Sequence, residues 1–149
     1  MLLIKNFTRR KVNQKYLNKV VEKALKVSNI KKPVEISLVI TGEKRIKSLN
    51  NRYRKIDKVT DVLSFGNEER CGAVRFIDPM DNTAYLGEIF ICYPQAERQA
   101  EREKHVVQKE IAILLVHGIL HLLGHDHKKD EEAEIMEKKE GEIRKELFV

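Results

Sequence analysis

Three histidines spaced like metal ligands lie within eleven residues of the chain: His117, His121 and His127. Residues four apart on a helix share one face, so a helix here directs the imidazoles of His117 and His121 toward one point. Gly124 can adopt a positive φ and end that helix, after which the chain can turn and bring His127 to the same point. Three protein nitrogens with one open position are typical of a catalytic zinc site rather than a closed structural one.

Histidine is scarce elsewhere, which strengthens the metal hypothesis. The chain has five histidines, and four of them lie within these eleven residues. Imidazole ligands without a visible redox partner favour zinc, so we predict that the bound metal is Zn²⁺. Two more polar residues lie between the ligands. His125 is either a fourth ligand or a surface group, and Asp126 either orients a ligand imidazole or is an ordinary polar residue at a helix end.

The same spacing invites comparison with zinc proteases. Their H-E-x-x-H motif uses the glutamate as general base, and the longer metzincin form is H-E-x-x-H-x-x-G-x-x-H. Gly118 stands where that glutamate would be, although the chain matches the rest of the longer form at His117, His121, Gly124 and His127. Since glycine has no carboxylate, this position cannot supply the general base that zinc proteases use for peptide hydrolysis. Gly118 either leaves room above the metal or allows close packing.

Composition limits the class of protein. The chain has 149 residues, of which 42% are hydrophobic and 35% charged, and this indicates one globular domain over residues 1–149. The most apolar stretch, residues 111–123, is too short to span a bilayer, and the apolar run at residues 1–4 is too short for a signal peptide. We therefore expect no membrane association. Cys71 and Cys92 form no C-x-x-C motif, which favours reduced thiols in the cytoplasm.

Charge is divided unevenly along the chain. Residues 1–60 contain 17 basic and 4 acidic side chains, whereas residues 61–149 contain 12 and 19. The basic half either presents an attractive field to a polyanion such as RNA or is a solvated, lysine-rich surface.

Hydrophobic periodicity predicts the elements that position the histidines. Apolar alternation predicts strands over residues 2–7, 34–40, 61–65 and 84–93, and a weaker pattern indicates another at 74–77. Helical periodicity predicts helices over residues 13–28, 95–103 and 109–123, one that follows Thr41 as its cap, and a last one from Asp130, with a break at 104–107. This order predicts a single α+β (α/β) domain with a mixed sheet of four to five strands, and the metal-bearing helix packed on one face.

Three sequence blocks carry a further signal. They are H-G-x-L-H-L-x-G-x-D-H at the histidines, L-N-x-x-Y-R with T-D-V-L-S-F between residues 49 and 65, and L-G-E-I-F-I-C at residues 86–92. Together, and in this order, they resemble the YbeY family of bacterial endoribonucleases, with a likeness over residues 35–130. The chain departs from the usual family pattern at positions other than His117, His121 and His127, namely Val59, Gly66, Glu88 and His125.

The resemblance implies an activity and a place of action. It implies a single zinc held by His117, His121 and His127, cleavage of single-stranded RNA, and maturation of the 3′ end of small-subunit rRNA. It further implies partners in the ribosome or its small-subunit precursors, and work in the cytoplasm. By position, Arg54 matches the family arginine implicated in RNA binding or catalysis, although without the resemblance it reads as an ordinary exposed helix arginine.

Other residues are expected to act beside Arg54. A guanidinium matches phosphate oxygens, so Arg54 is predicted to hold the RNA phosphate. Thr60 and Ser64 are predicted to line the same substrate cleft. Glu88 is either a proton acceptor in catalysis or a strand residue that faces solvent or pairs with a lysine. The general base stays unassigned.

Two other functions stay open at this level. One is a different zinc hydrolase, such as a peptidase with an unusual base, against which the missing glutamate at Gly118 argues. The other is an RNA or ribosome assembly factor whose metal only stabilises the fold. The basic first 60 residues fit that factor as well as they fit a nuclease.

Overall fold

The computed structural model describes residues 1–66, 83–124 and 130–148, and in them the chain forms a four-stranded sheet with five helices. Along the chain these elements are β1 (Leu2–Asn6), α1 (Gln14–Val27), β2 (Val34–Thr41), α2 (Glu43–Arg54), β3 (Val62–Gly66), β4 (Ala84–Cys92), α3 (Tyr93–Glu103), α4 (Val107–Leu122) and α5 (Asp130–Phe148). The predicted α+β class is confirmed. The strand predicted at residues 74–77 lies outside the described residues.

The sheet is mixed, as predicted, with strand order β1-β2-β4-β3. The first three of these strands are parallel, and β3 runs antiparallel to β4 at the edge of the sheet. A parallel pair needs a crossover connection, which α1 supplies between β1 and β2. Residues of β2 are buried on both faces of the sheet, which explains why its sequence is almost continuously apolar.

Two apolar clusters cover the two faces of the sheet. The larger one joins α1, α4 and α5 to the face that carries Ile36, Ile89 and Ile91. Phe65 and Phe90 lie in the smaller one, under α2. Helix α4 belongs to the larger cluster and is its most deeply buried helix, with nine buried residues out of sixteen. The predicted metal-bearing helix therefore packs across one face of the sheet.

One predicted helix cap is wrong, and one predicted helix break is confirmed. Thr41 does not cap α2, because it is the last residue of β2, is 1% exposed and pairs with Cys92. Its β-branched side chain suits a buried strand, and Gly42 takes the cap position without a side-chain hydrogen bond. The break predicted near residue 104 is present, since Lys104 adopts a left-handed conformation between α3 and α4. Within the part of the chain that the structure describes, no single helix has the length and apolar character of a membrane span, and one bent pair, α3 with α4, meets that test jointly.

Candidate metal centre and its surroundings

His117 and His121 face each other on α4. Their Nε2 atoms are 3.1 Å apart and their ring centroids 4.6 Å apart, and both residues are half-buried. Zinc binds imidazole nitrogen at about 2.0–2.1 Å, so in a tetrahedral site two such nitrogens stand roughly 3.3 Å apart. The observed spacing and the chemistry of the two donors therefore fit two ligands of a single ion.

A carboxylate on α5 fixes the orientation of the first histidine. Nδ1 of His117 donates to Oε1 of Glu140 across 2.8 Å, and the two side chains are 30% and 25% exposed. A proton on Nδ1 leaves Nε2 of the neutral ring with its lone pair on the side of His121. Histidines that bind zinc usually have such a partner on the other ring nitrogen, because it sets the tautomer and the ring angle.

Glu140 is not among the site residues predicted from the sequence, although the sequence carries a signal for it. Helix α5 contains many acids, most of them exposed. Glu140 differs from these because it lies four residues after Met136 and three before Ile143, both fully buried. Residues at these spacings share one helix face, so Glu140 lies on the apolar stripe that faces the core. An acid on such a stripe needs a partner, which here is His117.

Gly118 packs directly on the sheet. A Cβ atom built on it would come within 2.9 Å of Cγ2 of Ile89, a fully buried residue of β4. This supports close packing as the reason for glycine here, because the side-chain direction is already occupied by Ile89. The position of a metzincin glutamate therefore points into the sheet.

A second glycine lets the end of α4 approach β4. Gly87 has φ +146°, and a Cβ there would lie 2.2 Å from the carbonyl oxygen of Phe65 and 2.9 Å from Leu122. Other residues rarely adopt this φ and would also collide with the backbone of β3. Leu122 directly follows His121, so this contact holds the histidine-bearing turn against the sheet.

The third predicted ligand, His127, lies outside the described residues together with His125 and Asp126. Among the residues that are described, no three His, Cys, Asp or Glu side chains form a metal-binding group. Gly124 ends the helix as predicted, with φ +97° and its N–H donating to the carbonyl of His121 at 3.0 Å. A ligand set of three histidines therefore stays a prediction.

Arg54 is held at the edge of the sheet. It is the last residue of α2, and its Nη2 donates to the carbonyl oxygen of Ser64 on β3 at 2.8 Å. Its guanidinium carbon lies 4.8 Å from the ring centroid of Phe65, which gives a cation–π contact. These two contacts fix the direction of an arginine that is otherwise exposed to solvent.

The strand register places Glu88 and Ser64 on opposite faces of the sheet. Glu88 pairs with Phe65 across the antiparallel ladder, so its side chain lies on the α2 face with Arg54. Ser64 pairs with Ile89 and so directs its side chain to the α4 face. The structure thus brings Arg54 and Glu88 to one side of the edge strand, whereas the histidine pair and Ser64 belong to the other.

The segment that joins Arg54 to β3 is tied down by polar side chains. Buried Asn50 donates from Nδ2 to the carbonyl of Lys58 at 3.0 Å. The hydroxyl of Thr60 lies 3.4 Å from Oδ1 of Asp61, and the other Asp61 oxygen accepts from Gln99 at 3.1 Å. Thr60 therefore stands beside a carboxylate that links this segment to α3, a link that no local pattern in the sequence indicates.

Cys92 has the character of a core residue. It is fully buried at the end of β4 and is a free thiol, as the sequence predicts. Burial raises the pKa of this thiol, and its neighbours have smaller effects of both signs, so it stays protonated at neutral pH. Cys71 lies outside the described residues.

Comparison with known proteins gives consistent matches. The family model for Endoribonuclease YbeY matches residues 3–148. Endoribonuclease YbeY of Dehalococcoides mccartyi is 44% identical over 131 residues, which is 85% of this chain and 76% of that protein. The protein of the same name from Persephonella marina is 40% identical over 144 residues, covering 96% and 89%. The solution structure of a Thermotoga maritima protein matches with a TM-score of 0.57 and 28% identity, over 98% of this chain and 91% of that one.

Proposed function

The chain belongs to the YbeY endoribonuclease family, and we propose that it is a zinc-dependent endoribonuclease specific for single-stranded RNA. We further propose that it matures the 3′ end of small-subunit rRNA in the cytoplasm, with ribosomal precursors as its partners. The observation that carries the zinc proposal is the pair of facing Nε2 atoms, 3.1 Å apart, beside a carboxylate that orients one of the rings.

The residues around the proposed ion have distinct tasks. His117 and His121 would hold Zn²⁺, with His127 as the third ligand. When bound, zinc supplies Lewis-acid polarisation of a phosphoryl oxygen and a nucleophile at neutral pH. Glu140 keeps the proton of His117 on Nδ1, so that Nε2 faces the ligand position in every turnover.

Arg54 is proposed to bind the RNA phosphate. Its guanidinium is held by the Ser64 carbonyl and the Phe65 ring, so little side-chain entropy is lost when a phosphate binds. Glu88 lies on the same face of the sheet as Arg54, across the edge strand from the histidine pair, and it stays the candidate proton acceptor. A pH–rate profile of Glu88→Gln beside wild type tests that role, and an unchanged profile would remove it.

The peptidase alternative has less support. Zinc peptidases of this ligand spacing use a glutamate at the position of Gly118. Here a side chain at that position would run into Ile89. A general base for peptide hydrolysis would have to come from elsewhere in the chain.

The substrate class is tested with a panel of three substrates. Zinc-loaded protein is incubated with a single-stranded fragment from the 3′ end of precursor small-subunit rRNA, with the same fragment annealed to its complement, and with casein. We expect cleavage of the single-stranded RNA alone. Cleavage of casein would favour a peptidase, and RNA binding without cleavage would favour an assembly factor with a structural metal.

A further inference from the structure

An exposed aromatic residue marks a second surface on the α2 side of the sheet. Phe7 directly follows β1 and is 55% exposed, while its backbone N–H donates to the carbonyl of Ile40 at 2.9 Å. The guanidinium carbon of Arg45 lies 3.9 Å from the centroid of the Phe7 ring. A phenylalanine held out to solvent and stacked with a guanidinium presents flat π surfaces together with positive charge.

The turn that carries Phe7 is fixed before anything binds. Oδ1 of Asn6 accepts from the backbone N–H of Thr8 at 2.9 Å and from its hydroxyl at 2.7 Å. Nδ2 of Asn6 donates to the carbonyl of Arg10 at 2.6 Å. These bonds close a compact turn around Phe7, so the ring is already positioned and less conformational entropy is lost on binding.

A basic recess adjoins the ring. It measures ≈ 610 Å³ and is lined by residues that include Phe7, Lys44, Arg45 and Ser48. Glu43, the one acid among the described residues that line it, pairs with Arg98 at 3.3 Å. Lys44 and Arg45 are exposed, and neither has an ion-pair partner in the described part of the chain. The recess therefore keeps a net positive charge that attracts a polyanion.

Helix α2 connects this surface to Arg54. Arg45 lies in the first turn of α2 and Arg54 is its last residue. Nine residues of helix span about 14 Å at a rise of 1.5 Å per residue. Further basic side chains on the helix, Lys47 and Arg52, are exposed between the two ends. Because nine residues are about two and a half turns, Arg45 and Arg54 lie on opposite flanks of α2, and a strand whose phosphate sits at Arg54 reaches Phe7 by crossing the exposed face of the helix.

We propose that Phe7, Lys44 and Arg45 form a stacking platform that binds the single-stranded RNA flanking the cleaved phosphate, an inference that rests on the proposed function. An unpaired base stacks on the phenyl ring, and the charged ends of Lys44 and Arg45 each bind an adjoining phosphate. RNA fits this surface better than an acidic protein segment does. RNA offers both a base that can stack on the ring and a negatively charged phosphate, whereas carboxylates offer only the charge. Paired bases are already stacked on each other, so the platform selects single strands.

The test measures equilibrium binding of a fluorescently labelled single-stranded RNA of mixed sequence by anisotropy. Phe7→Leu should weaken binding roughly tenfold, because leucine keeps apolar bulk but offers no face for stacking. Arg45→Gln should weaken it and reduce the slope of log affinity against log salt by about 0.7, since one phosphate contact is lost from a single strand. Phe7→Leu should leave that slope unchanged.

Matched controls come from the acidic half of the chain. Ile135→Ala removes an apolar side chain that is 52% exposed on α5, and Arg144→Gln removes an exposed arginine from the same helix. Both should bind as wild type. If Phe7→Leu and Arg45→Gln bind as tightly as these controls, the platform is overturned.

The failure of the platform and the failure of the proposed function give different results. If wild type does not cleave RNA with zinc present, the enzyme proposal fails, yet weaker binding by Phe7→Leu than by Ile135→Ala would still support the platform. If wild type cleaves RNA and all four variants bind alike, the enzyme stands and the platform fails. A loss of affinity that is equal for duplex and single-stranded RNA would also overturn base stacking as its cause.

Discussion

Removal of the Glu140 carboxylate is expected to weaken zinc binding about tenfold. Partners on the second nitrogen of a zinc-binding histidine typically contribute 10- to 100-fold in metal affinity. Since the His117 and Glu140 side chains are 30% and 25% exposed, water can partly replace the lost bond, so we expect the lower end of that range for Glu140→Ala. Glu140→Gln keeps an oxygen that accepts from Nδ1 without the charge, and its loss should be smaller.

A chromophoric chelator that competes for zinc measures this affinity without any reference to RNA cleavage. The matched control is Glu142→Ala, which removes the same charge from an exposed position two residues along α5. Thermal unfolding in the presence of EDTA checks that each metal-free variant is folded. If Glu140→Ala binds zinc as tightly as Glu142→Ala, then Glu140 does not orient a zinc ligand.

Two further predictions concern stability. Gly118→Ala should destabilise the protein by about 1–3 kcal/mol, because the new Cβ would lie 2.9 Å from Ile89. The control is Gly141→Ala, which should be neutral or stabilising because no atom lies within 4 Å of a Cβ at that position. Equal free energies of unfolding in urea for these two variants would contradict the packing argument. Burial raises the pKa of the Cys92 thiol above its ordinary value of 9.0 and that of the Tyr16 hydroxyl above 10.0. At alkaline pH the native state therefore keeps protons that the unfolded chain releases. The free energy of unfolding should then fall as the pH rises above about 9. Urea titrations at several pH values should show a smaller fall in the free energy of unfolding for Tyr16→Phe than for wild type. A free energy of unfolding in wild type that does not change with pH would refute this prediction.

Local patterns were enough to predict the elements and the facing of two of the three proposed metal ligands. Alternation and helical periodicity are properties of neighbouring residues, so they gave the four described strands and the histidine-bearing helix. The facing imidazoles of His117 and His121 follow from a separation of four residues on one helix. The break near Lys104 was also visible, because the apolar pattern stops there.

Features that depend on distant contacts were not predictable in the same way. Glu140 meets His117 only because α5 packs beside α4, and the sequence does not state which helices are neighbours. The strand order also places β4 between β2 and β3, against the order along the chain. The prediction of Thr41 as a cap is wrong because threonine is a common cap residue before a helix, whereas burial beside Cys92 favours the strand.

The most direct test of the central claim is an RNA cleavage assay during a zinc titration. Metal-free wild type and His121→Ala, purified side by side, receive increasing Zn²⁺ with a single-stranded fragment from the 3′ end of small-subunit rRNA. The histidine pair predicts that wild-type cleavage rises with bound zinc to one equivalent, and that His121→Ala stays inactive throughout. Cleavage by wild type that ignores zinc, or equal cleavage by His121→Ala, would contradict a zinc centre on α4.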